Sequence, residues 1–163
     1  MKNTTLCYLE KDDCYLMLHR IKKQQDENQG KWIGIGGKFE EGESPIDCLV
    51  REVQEETGLH LTGYQFRGIV TFVSDAWGTE QMHLFTGHEF EGELLQDCPE
   101  GRLQWVNKNK LKDLPMWEGD RIFFDLLQSQ QPFFVLKLCY QGEELVQAFL
   151  DGKELPLKQE ETR

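Results

Sequence analysis

Residues 37–59 read GKFEEGESPIDCLVREVQEETGL, and the fold is decided in this stretch. Ser44 is a good helix N-cap and Pro45 suits the first turn. Asp47 stands three residues after the cap, the spacing of a capping box. Gly58 is a C-terminal stop. The spacing therefore predicts a helix from Pro45 to Thr57. Ile46, Leu49, Val50 and Val53 fall at i, i+3, i+4 and i+7, an apolar stripe that should face a core. Glu52, Glu55 and Glu56 fall at i, i+3 and i+4 in a sector centred away from that stripe. Three carboxylates on one side repel one another unless a cation sits among them. Oxygen donors alone suit Mg²⁺ or Mn²⁺ rather than Zn²⁺. A solvated acidic helix face has the same spacing, so the helix by itself leaves both readings open.

Outward from this helix the chain reads as strands. Thr4 to Leu9 and Cys14 to His19 are apolar runs parted by Glu-Lys-Asp-Asp, a β-hairpin pattern. Residues 21–31 are a charged, Gln-rich loop, and Trp32 to Gly37 is a short strand running into paired glycines. Gly68 to Ser74, Gln81 to Phe90 and Leu103 to Val106 have strand composition. A second helix is expected from Glu118 to Gln128. Phe133 to Tyr140 and Leu145 to Leu150 read as a closing hairpin. The charged tail, residues 151–163, should fray. Strands on either side of one or two helices predict an α+β fold, an α/β/α sandwich with a mixed β-sheet, in a single domain over residues 1–150.

A chain of 163 residues is one domain's worth of sequence. Lys and Arg number 18 against 29 Asp and Glu, a net charge of -11. Such a surface disfavours nucleic-acid polymers and anionic membranes, and an anionic small molecule would need divalent cations to mediate. The five cysteines, at 7, 14, 48, 98 and 139, are scattered without a Cys-x-x-Cys, which points to reduced thiols. The first apolar run is too short for a leader, and no run approaches the roughly 20 residues of a membrane span. A cytoplasmic monomer acting on a small molecule is the expectation.

From Gly37 onward the chain matches Gly-x5-Glu-x7-Arg-Glu-apolar-x-Glu-Glu-x-Gly-apolar at every specified position. These are Gly37, Glu43, Arg51, Glu52, Val53, Glu55, Glu56, Gly58 and Leu59. Average residue usage would produce this by chance less than roughly once in a million chains of this size. The pattern resembles the Nudix box. The resemblance implies a Nudix hydrolase, cleaving nucleoside diphosphates linked to a further group with Mg²⁺ or Mn²⁺. It implies that Glu52, Glu55 and Glu56 bind metal and that Gly37 offers its carbonyl. Arg51 and Glu43 would brace the loop against the helix, and Lys38 would lie near the phosphates. Glu52 is the favoured base for the attacking water, with Glu56 next. Glu100 is the candidate metal ligand from outside the box.

Trp32, Phe72 and the run Met116-Trp117-Glu118-Gly119-Asp120 are similar to the MutT-related enzymes that sanitise oxidised purine triphosphates, which implies an 8-oxo-dGTP diphosphatase. Trp117 would stack the purine, a contact of roughly 1–3 kcal/mol, and Phe72 would wall the other side. Asp120, ionised and acceptor-only, would take the N1–H and N2–H donors of a guanine edge. Lys23 would reach the triphosphate. Mammalian relatives carry two adjacent aspartates where this chain has Gly119-Asp120, and an asparagine where it has Ile33. A narrower preference for oxidised guanine over oxidised adenine is therefore predicted. The histidines show no metal-ligand spacing. The alternatives are another nucleoside diphosphate derivative as substrate, or a non-catalytic nucleotide-sensing module.

Overall fold

The computed structural model describes residues 1–21 and 28–157. The first hairpin forms from β1 (Lys2–Lys11) and β2 (Cys14–Arg20), turning through Asp12 and Asp13 at φ 50° and 62°. Aspartate tolerates this left-handed region better than most residues. The two strands pair only beside the turn, at Glu10↔Tyr15 and Lys11↔Cys14, and then part. β1 continues parallel to β5 (Gly78–Glu91), while β2 runs antiparallel to β7 (Gly101–Asn107). Both short edge strands, β3 (Trp32–Ile33) and β6 (Asp97–Cys98), attach on the β2 side. On the other side stand β4 (His60–Ser74), β8 (Phe134–Gln141), β9 (Glu144–Leu150) and β10 (Lys153–Glu154). The strand order is β10-β9-β8-β4-β5-β1-β2-β7-β6, with β3 on β2, and it mixes parallel with antiparallel pairs.

Alternation along β1 and β2 explains why helices cover both faces. Leu6, Tyr8, Tyr15 and Met17 point into a core with Phe123, Phe124 and Leu127 of α2 (Glu118–Gln128). Cys7, Leu9, Leu16 and Leu18 point the other way, onto Leu49 and Val53 of α1 (Pro45–Thr57). Strands buried on both faces read as continuous apolar runs, as these do. The result is an α/β/α sandwich.

α1 has the predicted bounds and caps. Ser44 Oγ accepts from Asp47 N–H at 3.1 Å, the Asp47 carboxylate accepts from Ser44 N–H at 3.0 Å, and Gly58 closes the helix at φ 78°. The buried face differs from the predicted stripe. Ile46 is 43% exposed, whereas Glu56 is buried with Cys48, Leu49, Val53 and Thr57. Glu56 lies seven residues after Leu49, two turns on, so it belongs to the arc that faces the sheet.

The expected fraying beyond Asp151 does not hold through residue 157. Asp151-Gly152 turns at φ 49° and 83°, the two positive values of an Asp-Gly hairpin turn, and β10 pairs back onto β9. Leu155 and Leu157 then pack on the α2 core. Among the described residues no helix is long and apolar enough to cross a membrane.

Candidate active site

The paired glycines have separate steric reasons. A Cβ on Gly36 would collide with the Thr5 carbonyl of β1, and one on Gly37 would stand 2.6 Å from Glu52 Oε1. The loop is thereby clamped between β1 and α1. The Gly37 carbonyl accepts from Thr5 N–H at 2.9 Å and lies 3.6 Å from the Cys48 thiol, which holds the loop against β1 and α1. The glycine itself is required by the Glu52 carboxylate packed against it.

Arg51 organises the acidic end. Its Nε and Nη2 donate to the two oxygens of Glu43 at 2.7 and 2.9 Å, a bidentate pair, and Nη2 also reaches the Lys38 carbonyl at 3.0 Å. Nη1 donates to Glu52 at 2.8 Å and to Glu55 at 3.2 Å. The Arg51 bonds hold the Glu43 carboxyl down at about 2. Glu52 is shifted upward, chiefly by burial, with Glu55 and Glu100 adding to the push and Arg51 opposing it. Glu56 is pushed up to about 8 by burial and by Glu52 and Glu100. A 3.3 Å bond from Gly36 N–H is its one hydrogen bond among the described residues, and Arg20 offers a weak counter-field.

Two further carboxylates, Glu52 and Glu100, beside the buried Glu56 are a poor resting arrangement without a cation. The donors are all oxygen, as Mg²⁺ or Mn²⁺ requires. Glu52, Glu56 and Glu100 turn toward one end of a shared cavity, whereas Glu55 is turned outward to Arg51 at 57% side-chain exposure. Among the described residues no three acidic, His or Cys side chains stand close enough to form a finished cage.

The acidic end opens into a cavity of about 770 Å³ whose far wall carries Phe72, Trp117, Asp120 and Tyr140. Gly37, Lys38, Arg51, Glu52, Glu56 and Glu100 line the near end, so residues more than sixty positions apart share one space. Glu43 and Glu55 stay outside it, on Arg51. Lys23 lies outside the described residues.

Trp117 is half-buried. Its indole N–H donates to Asn28 at 2.8 Å, and Lys31 Nζ stands 4.3 Å above the ring, itself held 2.6 Å from Glu143. Phe72 and Trp117 both line the cavity, and both rings meet Tyr140, at 6.2 Å and 26° and at 5.2 Å edge-on. Asp120 is 4% exposed, and burial raises its carboxyl to about 8, with Glu80 adding to the rise and Arg121 and Lys31 opposing it. Burial thus works against the ionised, acceptor-only Asp120 expected from sequence and favours a carboxyl that can donate as well as accept.

Arg20, Asn28, Lys31, Tyr140 and Glu143 were not singled out by sequence. Tyr140 alone carried a signal, as an aromatic at an inward position of a strand.

A NUDIX domain model matches residues 2–127. An uncharacterized Nudix hydrolase of Bacillus subtilis, YvcI, is 32% identical over 160 residues, covering 95% of this chain and 98% of its own. An oxidized purine nucleoside triphosphate hydrolase of Danio rerio is 32% identical over 126 residues, covering 76% and 79%. The crystal structure of a mutator MutT protein from Bacillus halodurans superposes with a TM-score of 0.83 at 30% identity, covering 94% and 99%.

Proposed function

The chain belongs to the Nudix hydrolase family, of the MutT-related kind, and from that premise we propose that it hydrolyses oxidised purine nucleoside triphosphates. The reaction would be 8-oxo-dGTP and water to 8-oxo-dGMP and pyrophosphate, with Mg²⁺, keeping damaged nucleotides out of DNA. The observation that carries this reading is the single cavity joining the glutamate cluster to an aromatic wall and a buried acid. The Danio rerio relative, named for oxidised purine triphosphates, supports the same class.

Glu52, Glu56 and Glu100 would hold the divalent ion, with Glu55 free to join on release from Arg51. When bound, the ion neutralises the polyphosphate and lowers the cost of charge developing on its oxygens. Glu52 takes the proton of the attacking water. Its side chain is already fixed by Arg51, so little reorganisation is needed. Attack at the β-phosphorus forms a P–O bond there and breaks the bond to the oxygen bridging to the α-phosphate. The nucleoside monophosphate leaves, and the water's oxygen departs in pyrophosphate. Lys38 and Arg20, which line the cavity, supply positive charge to the phosphates.

At the other end, Asp120 meets the base. Ionised, it accepts the two donors of a guanine edge. Protonated, it can donate to N1 of an adenine edge and accept from the 6-amino group. Asp120 alone therefore does not separate the two bases.

The test is pyrophosphate release with Mg²⁺ from 8-oxo-dGTP, dGTP, 2-oxo-dATP and ADP-ribose. The highest kcat/KM is expected on 8-oxo-dGTP. Turnover of ADP-ribose alone would retain the hydrolase and discard the base pocket, and nucleotide binding without turnover would favour a sensing module.

A further inference from the structure

The Tyr140 hydroxyl stands where a side chain on residue 119 would begin. A Cβ built on Gly119 would lie 2.7 Å from that oxygen and would collide with Leu138. Glycine at 119 is thus the condition for Tyr140 to reach the end of α2. Trp117, the N-cap residue, makes no side-chain capping bond. The hydroxyl of Tyr140 caps from another strand instead, accepting from Gly119 N–H at 2.8 Å. A phenol has one proton to give besides its lone pairs. Among the described residues that proton has no acceptor, and Tyr140 lines the cavity beside Asp120. Burial and the Asp120 carboxyl keep the phenol far from ionising.

We propose that Tyr140 is a specificity-determining residue that donates its hydroxyl proton to the position-6 oxygen of a 6-oxopurine, next to the two donors that Asp120 accepts. This rests on reading the cavity as a purine nucleotide site. The Gly119 bond fixes the hydroxyl one residue from Asp120, so donor and carboxyl address the same edge of a base. On a guanine edge the position-6 oxygen adjoins N1–H, whereas C8 lies on the far side of the ring. On an adenine edge the same position carries an N–H donor, which leaves the hydroxyl proton without an acceptor. A site built to satisfy a polar group penalises the base that leaves it unpaired. Tyr140 thereby breaks the ambivalence of a buried acid that can meet either base. It comes from β8, beyond the 2–127 stretch that matches the family model. The same hairpin also reaches Trp117 through Glu143, which holds Lys31 above its ring.

The experiment measures kcat/KM of the full chain with Mg²⁺ on dGTP, 6-thio-dGTP, 8-oxo-dGTP and 8-oxo-dATP, for the parent protein and Tyr140→Phe. Sulfur is a weak acceptor, so the parent should prefer dGTP to 6-thio-dGTP by several-fold, and the variant should treat them alike. On 8-oxo-dGTP the variant should lose about tenfold, the effect of one neutral hydrogen bond, and on 8-oxo-dATP less than twofold. Equal losses on both bases would reduce Tyr140 to a structural cap and overturn the proposal. If the variant fails to fold by thermal melt, the parent decides alone, since equal turnover of dGTP and 6-thio-dGTP overturns the proposal. Absence of turnover on every purine triphosphate overturns the functional reading and this inference together. An 8-oxo-dGTP preference with equal loss in the variant overturns this inference only.

Discussion

The two ends of the cavity are built on opposite plans. The acidic end comes almost wholly from one contiguous run, residues 36–56, in which one arginine holds three glutamates and a carbonyl. The aromatic end is assembled from separated pieces: Asn28 and Lys31 from a loop, Phe72 from β4, Trp117 and Asp120 from the start of α2, Tyr140 from β8. One end is a local motif carried by a helix, while the other exists only once the sheet has closed. Chemistry common to a family can be written locally. Selectivity, depending on which strands meet, is written across the chain.

The strongest way to sharpen this contrast is Glu52→Gln, which keeps shape and removes charge. Turnover should fall by roughly 10³-fold while equilibrium binding of 8-oxo-dGMP stays nearly unchanged. Unchanged turnover would remove Glu52 from its assigned role.

Arg51→Ala comes next, with a loss of roughly a hundredfold in kcat as Glu52 loses its anchor. It should also alter acid stability. The Glu43 carboxyl sits at about 2 when folded, against 4.5 for its ordinary value. A depressed carboxyl contributes stability above pH 4.5 that is lost as pH falls toward 2. Melting curves of Arg51→Ala should lack that part of the acid limb, and an unaltered limb would show that the bidentate pair is not what stabilises the loop.

At the aromatic end, Trp117→Ala should raise KM on 8-oxo-dGTP roughly tenfold with kcat little changed, consistent with lost stacking. A kcat loss with unchanged KM would assign Trp117 to the core instead.

The smallest effect is on stability. In Asp120 the folded carboxyl is raised to about 8 from 3.8. The unfolded chain therefore releases its proton first, and stability falls as pH climbs from about 4 to about 8. Asp120→Asn removes this dependence. Its melting temperature should match the parent near pH 4 and exceed it by several degrees near pH 8, and a constant difference across that range would contradict the buried-acid assignment.

What was legible follows the same division. The capping box, proline and terminal glycine fixed both ends of α1 because each acts within four residues. The nine positions of the box identified the family for the same reason. Sequence misjudges the helix's faces, since four aliphatic side chains suggest a stripe and Glu56 falls in a sector centred away from it. A carboxylate lies in the buried arc because the loop at Gly36 and a site, rather than water, receive it. The β10 turn was present in sequence as Asp151-Gly152 but was obscured by the charge around it. Nothing local marks Lys31 as the residue above Trp117, or Tyr140 as the cap of α2. These contacts join residues 86 and 21 positions apart through a sheet order that periodicity does not encode.

The alternation of β1 also makes this fold its own chemical clock. Cys7, on that strand, is wholly buried in the layer beneath α1, and burial keeps its thiol protonated. A thiol reagent reaches it only when α1 lifts or the whole chain opens. Leu6 and Tyr8 anchor the same strand to the opposite layer, so α1 can peel away without releasing β1. Labelling of Cys7 far faster than global unfolding would therefore time the detachment of the glutamate helix alone, and nucleotide with Mg²⁺ should slow that clock before it alters the melting of the α2 layer.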